Sequence, residues 1–265
     1  MKSIYQALAE LEATRQPAVL CTVVRTSGST PRRSTSKMLV YPDGSILGTV
    51  GGGEMESRVI REALEALQDG KTRLLSYNMT DPSRGDPGVC GGQVEVFVEP
   101  VLPPPTLLVL GGGHVGKAVV HLAHFLGFYV ILSDDRPEFC SPESVPDADE
   151  YLPVPLQEIT QQVNITPHTW VVLTTRGVSI DAQALPPLLA SPAAYIGVIG
   201  SRRRWAMTCK ELLAQGVPEE HIARVHSPIG LEIEAETPEE IAVSIMAEII
   251  MLRNGGDGKP MSAKA

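Results

Sequence analysis

The sequence lacks a long hydrophobic run, and its cysteines are few and far apart. No apolar stretch reaches the roughly twenty residues that a membrane-spanning helix requires, and the first residues alternate polar and apolar positions like a helix rather than a signal peptide. The 4 cysteines form no C-x-x-C pair, which favours free thiols over a disulfide framework. These absences predict a cytoplasmic protein with no membrane partner.

An excess of basic residues is also missing. The formal net charge is -9, so the chain as a whole has no general affinity for nucleic acid or for an anionic membrane surface. Local basic clusters can still bind a small anion. No nucleic-acid partner is therefore expected.

Recognisable catalytic and metal-binding patterns are absent as well. The sequence contains no Tyr-x-x-x-Lys, no paired histidine and aspartate at the expected strand ends, and no H-x-H or H-E-x-x-H. A hydride-transfer catalytic set is thus not visible, and a nucleotide-binding fold would not by itself make this protein a dehydrogenase.

The composition of the chain and a proline-rich segment within it predict two domains. The length of 265 residues and the hydrophobic content of 43% are enough for one large core or two ordinary ones, and the proline-rich segment Pro100–Pro105 resembles a stiff linker. We expect an α/β protein with an α+β domain over residues 1–100, a linker over 101–105, and a Rossmann-like domain with a parallel sheet over 106–265.

Local patterns place elements within these domains. Before the linker they predict a helix over 3–14, a strand over 18–24, and a functional or disordered loop over 25–37. After it, the acidic stretch 136–155 has no regular period and is expected to be irregular. A capping sequence with proline at the first helical position starts a long helix that runs from Pro238 to about residue 252.

The most informative stretch is Thr106–Asp135, which reads as strand, glycine turn, helix and strand. Gly111, Gly113 and Gly116 fit the G-x-G-x-x-G pattern of dinucleotide-binding folds, in which the glycines allow a sharp turn, close approach of a pyrophosphate, and tight packing of the helix. His114 and Val115 begin the helix, and His114 projects near the crevice, where it contacts a ligand or only caps the helix. Asp134 follows the second strand, where a carboxylate can accept hydrogen bonds from ribose hydroxyls.

Further candidates follow the later strands of this domain. Arg176, Ser201 and Arg202 come after two apolar strands, and the carboxyl ends of parallel strands open onto one crevice. We therefore predict that these three residues contact a ligand. Arg203 and Arg204 equally fit a solvated helix face.

The amino-terminal domain carries a second set of candidates. Cys90 is flanked by small residues, so a ligand can reach its sulfur, and a thiolate there can bind a soft metal or carry a persulfide. The loop over 25–37 contains Arg32 and Lys37 among hydroxyl residues, an arrangement suited to phosphate. The non-functional alternatives are that Cys90 is a small apolar residue at the start of a strand and that the loop over 25–37 is simply solvated.

A triple glycine, Gly51, Gly52 and Gly53, precedes a predicted helix that begins near Glu54. Acidic residues in the first turn already complement the helix dipole and would repel a phosphate. We therefore favour close backbone approach of a ligand here, with Glu54 or Glu56 as a hydrogen-bonding group.

Taken together, several segments resemble the XdhC/CoxI family of accessory proteins for molybdenum hydroxylases such as xanthine dehydrogenase. The matching segments cover nearly the whole chain in order: Gly28–Arg32, Lys37–Met38, Gly51–Glu54 with Glu56, Cys90–Gly92, Gly111–Gly116, Asp134–Pro137, Thr175–Gly177, Ile199–Arg203, His226–Leu231 and Ala235–Ile241.

The resemblance implies a function that the composition does not show. Proteins of this family are understood to bind the molybdenum cofactor (molybdopterin), to protect it during sulfuration by a cysteine desulfurase, and to insert it into the hydroxylase. By position, Cys90 would be the thiol concerned with the cofactor and its metal. Arg32, Lys37, Gly51–Gly53 and Glu54 would line the pterin and phosphate site. Where the family pattern leads us to expect a histidine, this chain has Val178, which puts the ligand of the second domain in doubt.

Two other functions are kept open. An NAD(P)-dependent oxidoreductase would use the glycine turn and Asp134, which favours NAD over NADP, although Arg136 leaves room for a 2′-phosphate. A nucleotide-sensing module would bind a dinucleotide without turnover. A homodimer is compatible with the sequence, which contains no feature that tests it.

Overall fold

The computed structural model describes residues 2–28, 34–80, 85–88 and 91–263. Cys90, Arg32 and Arg33 lie outside these ranges. The chain divides between Pro103 and Pro104 into two compact units, a position that falls within the predicted linker.

The amino-terminal unit is built on a five-stranded antiparallel sheet. Its strands, in the order β3-β2-β1-β5-β4, are β1 (Ala18–Ser27), β2 (Lys37–Val40), β3 (Ile46–Gly48), β4 (Arg73–Asn78) and β5 (Gln93–Val101). A tight turn connects β2 to β3. In this turn the Asp43 carboxylate accepts a hydrogen bond from the Ser45 amide at 2.9 Å.

Two helices cover opposite faces of this sheet, since neighbouring residues of a strand point to opposite sides. Helix α1 (Ile4–Thr14) starts at a capping box formed by Ser3 and Gln6 and packs on Ala18 and Leu39. Helix α2 (Gly53–Asp69) packs its apolar stripe on the other face, against residues such as Cys21 and Met38. The core of this unit therefore lies mainly between α2 and the sheet.

The ends of two strands differ from the sequence expectation. Strand β1 continues to Ser27, three residues beyond the predicted strand, after a bulge between Val23 and Arg25. Cross-strand pairing with β5 extends it, because Arg25 lies opposite Glu95 and Ser27 lies opposite Gln93. At its other end β5 runs through Val101 into the predicted linker.

The carboxy-terminal unit contains a six-stranded parallel sheet. Its strands, in the order β11-β10-β9-β6-β7-β8, are β6 (Thr106–Leu110), β7 (Tyr129–Ser133), β8 (Glu150–Leu152), β9 (Thr169–Leu173), β10 (Tyr195–Val198) and β11 (Val225–His226). Numbered within the sheet, this is the order 3-2-1-4-5-6 of dinucleotide-binding folds, which reverses between β6 and β9. The predicted α/β fold, an α+β domain followed by a Rossmann-like domain with a parallel sheet, is confirmed.

Helices cover both faces of the parallel sheet, as continuous apolar strands require. They are α3 (His114–Phe125), α4 (Ile159–Gln162), α5 (Val178–Leu189), α6 (Arg202–Ala214), α7 (Glu219–Ile222) and α8 (Pro238–Asn254). Buried residues of α3 and α8 form one core with the sheet, and those of α5, α6 and α7 form the other. No helix in the described part of the chain is long and apolar enough to cross a bilayer.

Strand β8 lies in the stretch 136–155, which we predicted to be irregular; that expectation is wrong for Glu150–Leu152. These residues pair in parallel with β7, from Ile131↔Glu150 to Ser133↔Leu152. All three are half-buried and the strand is at the sheet edge, so neither an apolar run nor a clear alternation marks it in the sequence.

Candidate functional site

Most of the candidate segments of the amino-terminal unit lie at one end of its sheet. The carboxyl ends of β1 and β4 and the amino ends of β2 and β5 meet at this end, because each neighbouring pair is antiparallel. Gly28, which has φ +69, lies so close to the other segment that an added Cβ would be 3.1 Å from the Gly91 oxygen and 3.1 Å from the Gly92 Cα. The segments that lead into Arg32 and out of Cys90 are therefore in contact at their described ends.

Lys37 lies at this same end as the first residue of β2. Its Nζ donates a 3.0 Å hydrogen bond to Oγ1 of Thr22 on the neighbouring strand, and the side chain is half-buried. The backbone oxygen of Lys37 accepts from the Thr49 amide at 3.2 Å, which joins the strand to the segment before the triple glycine. The backbone of Lys37 therefore contacts the segment before the triple glycine, while its ammonium group contacts β1.

The triple glycine adopts backbone conformations that other residues rarely take. Gly51, Gly52 and Gly53 have φ values of 150°, 80° and 65°. An added Cβ at Gly52 or Gly53 would meet nothing within 4 Å, so these two glycines face open space. The loop thus leaves open space on the side-chain side of two glycines at the amino end of α2.

Glu56 rather than Glu54 binds this loop. Its Oε2 accepts from the amides of Val50 and Gly52, each at 3.2 Å, and from the hydroxyl of Thr49. Glu54 instead pairs with Arg58 at 3.0 Å on the exposed side of α2. Of the two carboxylates left open by the sequence, Glu56 therefore organises the glycine loop, and it occupies an amide that a phosphate would need.

The other cysteines are poor candidates for cofactor chemistry. Cys21 is fully buried in the core, and burial raises its pKa to about 12, so its thiol stays protonated. Cys140 is buried too and donates to the Leu132 oxygen at 3.3 Å. Within residues 2–28, 34–80, 85–88 and 91–263, no three histidine, cysteine or acidic side chains cluster as metal ligands would.

In the carboxy-terminal unit, two glycines of the turn after β6 are needed for close packing. An added Cβ at Gly116 would overlap the Gly111 oxygen and lie 2.8 Å from Thr174 Oγ1. The Thr174 hydroxyl donates to the Gly111 oxygen at 2.6 Å. These contacts seat α3 directly on the junction of β6 and β9, which is the role expected of the first and third glycines.

Gly113 has the opposite environment. It is the N-cap of α3 with no side-chain hydrogen bond, and an added Cβ would meet nothing within 4 Å. His114 is exposed at the start of the helix, and the half-buried Val115 packs against the core. The amino end of α3 is consequently open, whereas Gly112 beside it is closed against the Phe139 oxygen.

Asp134 is fully engaged by protein donors. Its Oδ2 accepts from the Gly112 amide at 2.9 Å and from Arg136 Nη2 at 2.9 Å, while Oδ1 accepts from the Arg136 amide at 3.0 Å and Nε at 2.9 Å. A carboxylate has about four acceptor sites, and this one is 1% exposed. The Asp134 carboxylate therefore fixes the glycine turn, and its predicted contact with a ribose stays a prediction.

The neighbouring Asp135 takes the exposed position. Arg176 donates to it in bidentate fashion, Nη1 to Oδ1 at 2.7 Å and Nη2 to Oδ2 at 2.8 Å. The hydrogen bonds and charge of Arg176 outweigh desolvation and lower the pKa of Asp135 to about 2. This pair, which the sequence did not reveal, lies at the carboxyl edge where β7 and β9 end.

The residues after β10 divide into an exposed and a buried set. Ser201 is the N-cap of α6 and accepts from the Arg204 amide at 3.2 Å, while Arg202 and Arg203 are exposed. Arg204 does not lie on a solvated face. It donates to fully buried Asp181 from Nε at 3.0 Å and Nη2 at 2.7 Å, and Thr175 joins the same network. Its role is to neutralise a buried carboxylate.

A second network, which is partly buried, centres on Glu248 of α8. Its carboxylate accepts from the Tyr195 hydroxyl at 2.8 Å and the Gly230 amide at 2.6 Å, and lies 3.1 Å from Nδ1 of His226. No sequence pattern predicted this cluster. The available signal was a single acidic residue within the apolar run from Ile245 to Met251.

Comparisons with known proteins point to one family. A family model described as the XdhC Rossmann domain matches residues 107–249, more than half of the chain, and one described as the XdhC and CoxI family matches residues 11–78. The second match ends before Cys90, so it does not include that residue.

Three curated relatives are similar over different lengths. Uncharacterized protein YqeB of Escherichia coli (strain K12) is 38% identical over 97% of this chain and 47% of its own. A probable xanthine dehydrogenase subunit from Bacillus subtilis (strain 168) is 35% identical over 60% of this chain and 46% of its own. Molybdenum cofactor insertion chaperone PaoD of Escherichia coli (strain K12) is 22% identical over 89% of this chain and 83% of its own. The chain thus spans about half the length of the first two.

A solved structure described as a xanthine dehydrogenase from Bacillus halodurans has a similar fold. The TM-score is 0.52 at 24% identity, over 99% of this chain and 98% of that one. At this identity the likeness supports the fold alone.

Proposed function

Because the chain belongs to the XdhC and CoxI family, we propose that it is an accessory protein for molybdenum cofactor maturation. In this proposal it binds the cofactor, supports its sulfuration, and inserts it into a xanthine dehydrogenase-type hydroxylase. The hydroxylase and a cysteine desulfurase are its protein partners, and the molybdenum cofactor is its cargo. The names of two relatives, a molybdenum cofactor insertion chaperone and a probable xanthine dehydrogenase subunit, support a role in maturation.

The observation that carries the proposal is the contact between Gly28 and the Gly91–Gly92 pair. It joins the two segments whose motifs the family resemblance selected, the basic loop and the cysteine segment. Lys37 and Gly52, whose missing side chain leaves open space, belong to the same end of the sheet. Cationic donors can bind the phosphate of an anionic, sulfur-rich cofactor, and a soft thiolate can bind its metal.

Within this arrangement the residues have separate roles. Lys37 would provide charge for the phosphate, and the glycine loop would let the pterin approach the backbone. Glu56, which already binds the loop, would keep its shape rather than contact phosphate, because like charges repel. Cys90 would offer the thiolate that faces molybdenum or carries sulfur.

Cofactor binding tests the proposal directly. Full-length protein is titrated with molybdopterin under reducing, anaerobic conditions, and we expect Cys90→Ala to lose binding by tenfold or more, roughly 1.4 kcal/mol or greater. Cys209→Ala is the matched control, since Cys209 is a half-buried thiol of the other unit. Undetectable binding by the wild type, or equal binding by Cys90→Ala, would refute the proposal.

We further propose that the carboxy-terminal unit binds a nucleotide at the switch between β6 and β9. The supporting observation is the open, uncapped amino end of α3 at Gly113, where free amides and the helix dipole favour a pyrophosphate. The guanidinium group of Arg136 donates to Asp134, and its Cζ lies 3.9 Å from the centroid of the Phe139 ring. A 2′-phosphate would have to replace these contacts in order to bind Arg136, so NAD is favoured over NADP. Oxidation of reduced cofactor with a carbonyl substrate, abolished by Gly113→Val, would instead favour the NAD(P)-dependent oxidoreductase alternative.

A further inference from the structure

The ion pair between Asp135 and Arg176 crosses the place where a nucleotide would lie. Asp135 follows β7 and Arg176 follows β9, and these strands flank β6 on its two sides. Neighbouring strands are about 4.8 Å apart, so the pair spans roughly 10 Å across the end of β6. The glycine turn that begins at Gly111 leaves β6 at that point.

Two other charged groups near this turn already have internal partners. Asp134 uses its acceptor sites on Gly112 and Arg136, and Arg204 is held by buried Asp181. Arg176, by contrast, has a side chain that is 47% exposed and a partner that is 35% exposed. An exposed ion pair contributes little to stability and can exchange partners at small cost.

The geometry of the pair matches phosphate recognition. Arg176 presents two parallel N–H donors to the two oxygens of Asp135, and the same fork binds two oxygens of a phosphate group. Arg136 lies beside Asp135, with Nε 4.0 Å from its Oδ1, so Asp135 would keep a cationic neighbour after Arg176 leaves.

We propose that Arg176 is the phosphate-binding residue of this crevice, and that Asp135 holds it across the glycine turn until a diphosphate group competes for it. This inference rests on the nucleotide site proposed above and assigns its specificity for a diphosphate. The carboxylate acts as a built-in competitor, so the crevice selects ligands with enough negative charge to displace it. The pKa of Asp135 is about 2, so acidification within the physiological range does not open the pair.

The test uses the full-length protein with two probes, inorganic pyrophosphate and ADP-ribose, titrated by calorimetry at low ionic strength. Asp135→Asn is expected to raise the affinity for pyrophosphate roughly two- to fivefold, because Arg176 no longer has an anionic partner. Arg176→Ala is expected to lower the affinity for both probes about tenfold or more. Arg203→Ala, an exposed arginine that follows β10, should bind like the wild type.

The double variant Asp135→Asn/Arg176→Ala separates this role from a general change in charge. The gain from Asp135→Asn should disappear when Arg176 is absent. If the gain persists, or if Asp135→Asn binds pyrophosphate no better than the wild type, the proposal is wrong while the nucleotide site stands. If no variant binds either probe, both are wrong, and molybdopterin binding by the amino-terminal unit is judged by its own experiment.

Discussion

The backbone amide of Gly112 donates a 2.9 Å hydrogen bond to Oδ2 of Asp134, which joins the glycine turn after β6 to the end of β7. Arg136 fills the remaining acceptor sites of the same carboxylate. Asp134 thus supports the glycine turn, while its neighbour Asp135 and Arg176 are exposed.

Asp134→Asn should therefore destabilise the carboxy-terminal unit. The asparagine side chain has the shape of aspartate but lacks the negative charge that pairs with Arg136. A buried hydrogen bond to a charged group contributes about 1–3 kcal/mol to stability. Urea unfolding at neutral pH measures the loss. Asp135→Asn is the matched control and should cost less than about 1 kcal/mol, since its ion pair is exposed. Equal stability of the two variants would contradict the structural role of Asp134.

Two glycines of the turn should respond oppositely to alanine. Gly116→Ala places a Cβ on the Gly111 oxygen, so α3 has to shift, and overpacking of this kind costs about 1–3 kcal/mol. Gly113→Ala has open space and an ordinary φ of -67, so its stability should stay within about 0.5 kcal/mol of the wild type. Thermal unfolding of both variants provides the comparison. A Gly116→Ala protein as stable as Gly113→Ala would show that the helix is not seated as described.

Arg204→Ala should lower the free energy of unfolding, because Asp181 is buried and would lose its ion-pair partner. Burial raises the pKa of Asp181 even though Thr175 and Arg204 oppose that effect. Removal of Arg204 leaves a buried charge without its ion pair, and breaking such a pair costs about 3–5 kcal/mol. Urea unfolding at neutral pH measures this loss, with Arg203→Ala as the exposed control.

The same variant has a predicted pH dependence with a definite sign. A carboxyl group whose pKa is higher in the folded state binds more protons there, so stability falls as pH rises from its unfolded pKa through the folded one. Without Arg204 the pKa of Asp181 rises further, and the deficit relative to the wild type should be larger at neutral pH than at mildly acidic pH. An identical deficit at both pH values would contradict the assignment of Asp181 as the group responsible.

Glu248→Gln should weaken the contacts of α8 with Tyr195, His226 and Gly230. Burial disfavours the charged form of Glu248, but the hydrogen bonds from these partners outweigh it and hold its pKa below the usual value of 4.5. The carboxylate therefore contributes stability above pH 4.5, and this contribution is lost as pH falls through the lowered pKa.

We expect Glu248→Gln to cost about 1–3 kcal/mol at neutral pH and the deficit to shrink below pH 4.5. Unfolding free energies from neutral to acidic pH measure it. Glu239→Gln on the exposed amino end of α8 is the control and should change stability by less than about 0.5 kcal/mol. A deficit that grows on acidification would rule out this account.

Much of the fold follows from local patterns in the sequence. The unit from Thr106 to Asp135 combines an apolar run, a glycine turn and a helical period, and each is encoded by residues close together in the chain. The hairpin around Pro42–Gly44 and the capped start of α8 at Thr237 are equally local. Strand β8 was missed because pairing with β7, rather than its own composition, makes it a strand.

The candidate site was predictable in part, and the limit is physical. The sequence identified which strand ends carry charged residues, because the carboxyl ends of parallel strands share one edge. It did not identify the partner of each charge. Whether Arg176, Arg202 or Arg204 is buried depends on contacts with residues more than twenty positions away, such as Asp135 and Asp181.

The sequence alone determined the two kinds of domain, the glycine turn and the segments that resemble the family, because periodicity and glycine conformations act over a few residues. The tertiary structure decided which of two adjacent acids supports the turn and which faces solvent, since Asp134 and Asp135 differ in nothing but their position relative to Gly112 and Arg176. It likewise assigned the glycine loop of the first unit to Glu56 instead of Glu54. These assignments depend on long-range contacts and on strand order, and neither is encoded by spacing in the chain.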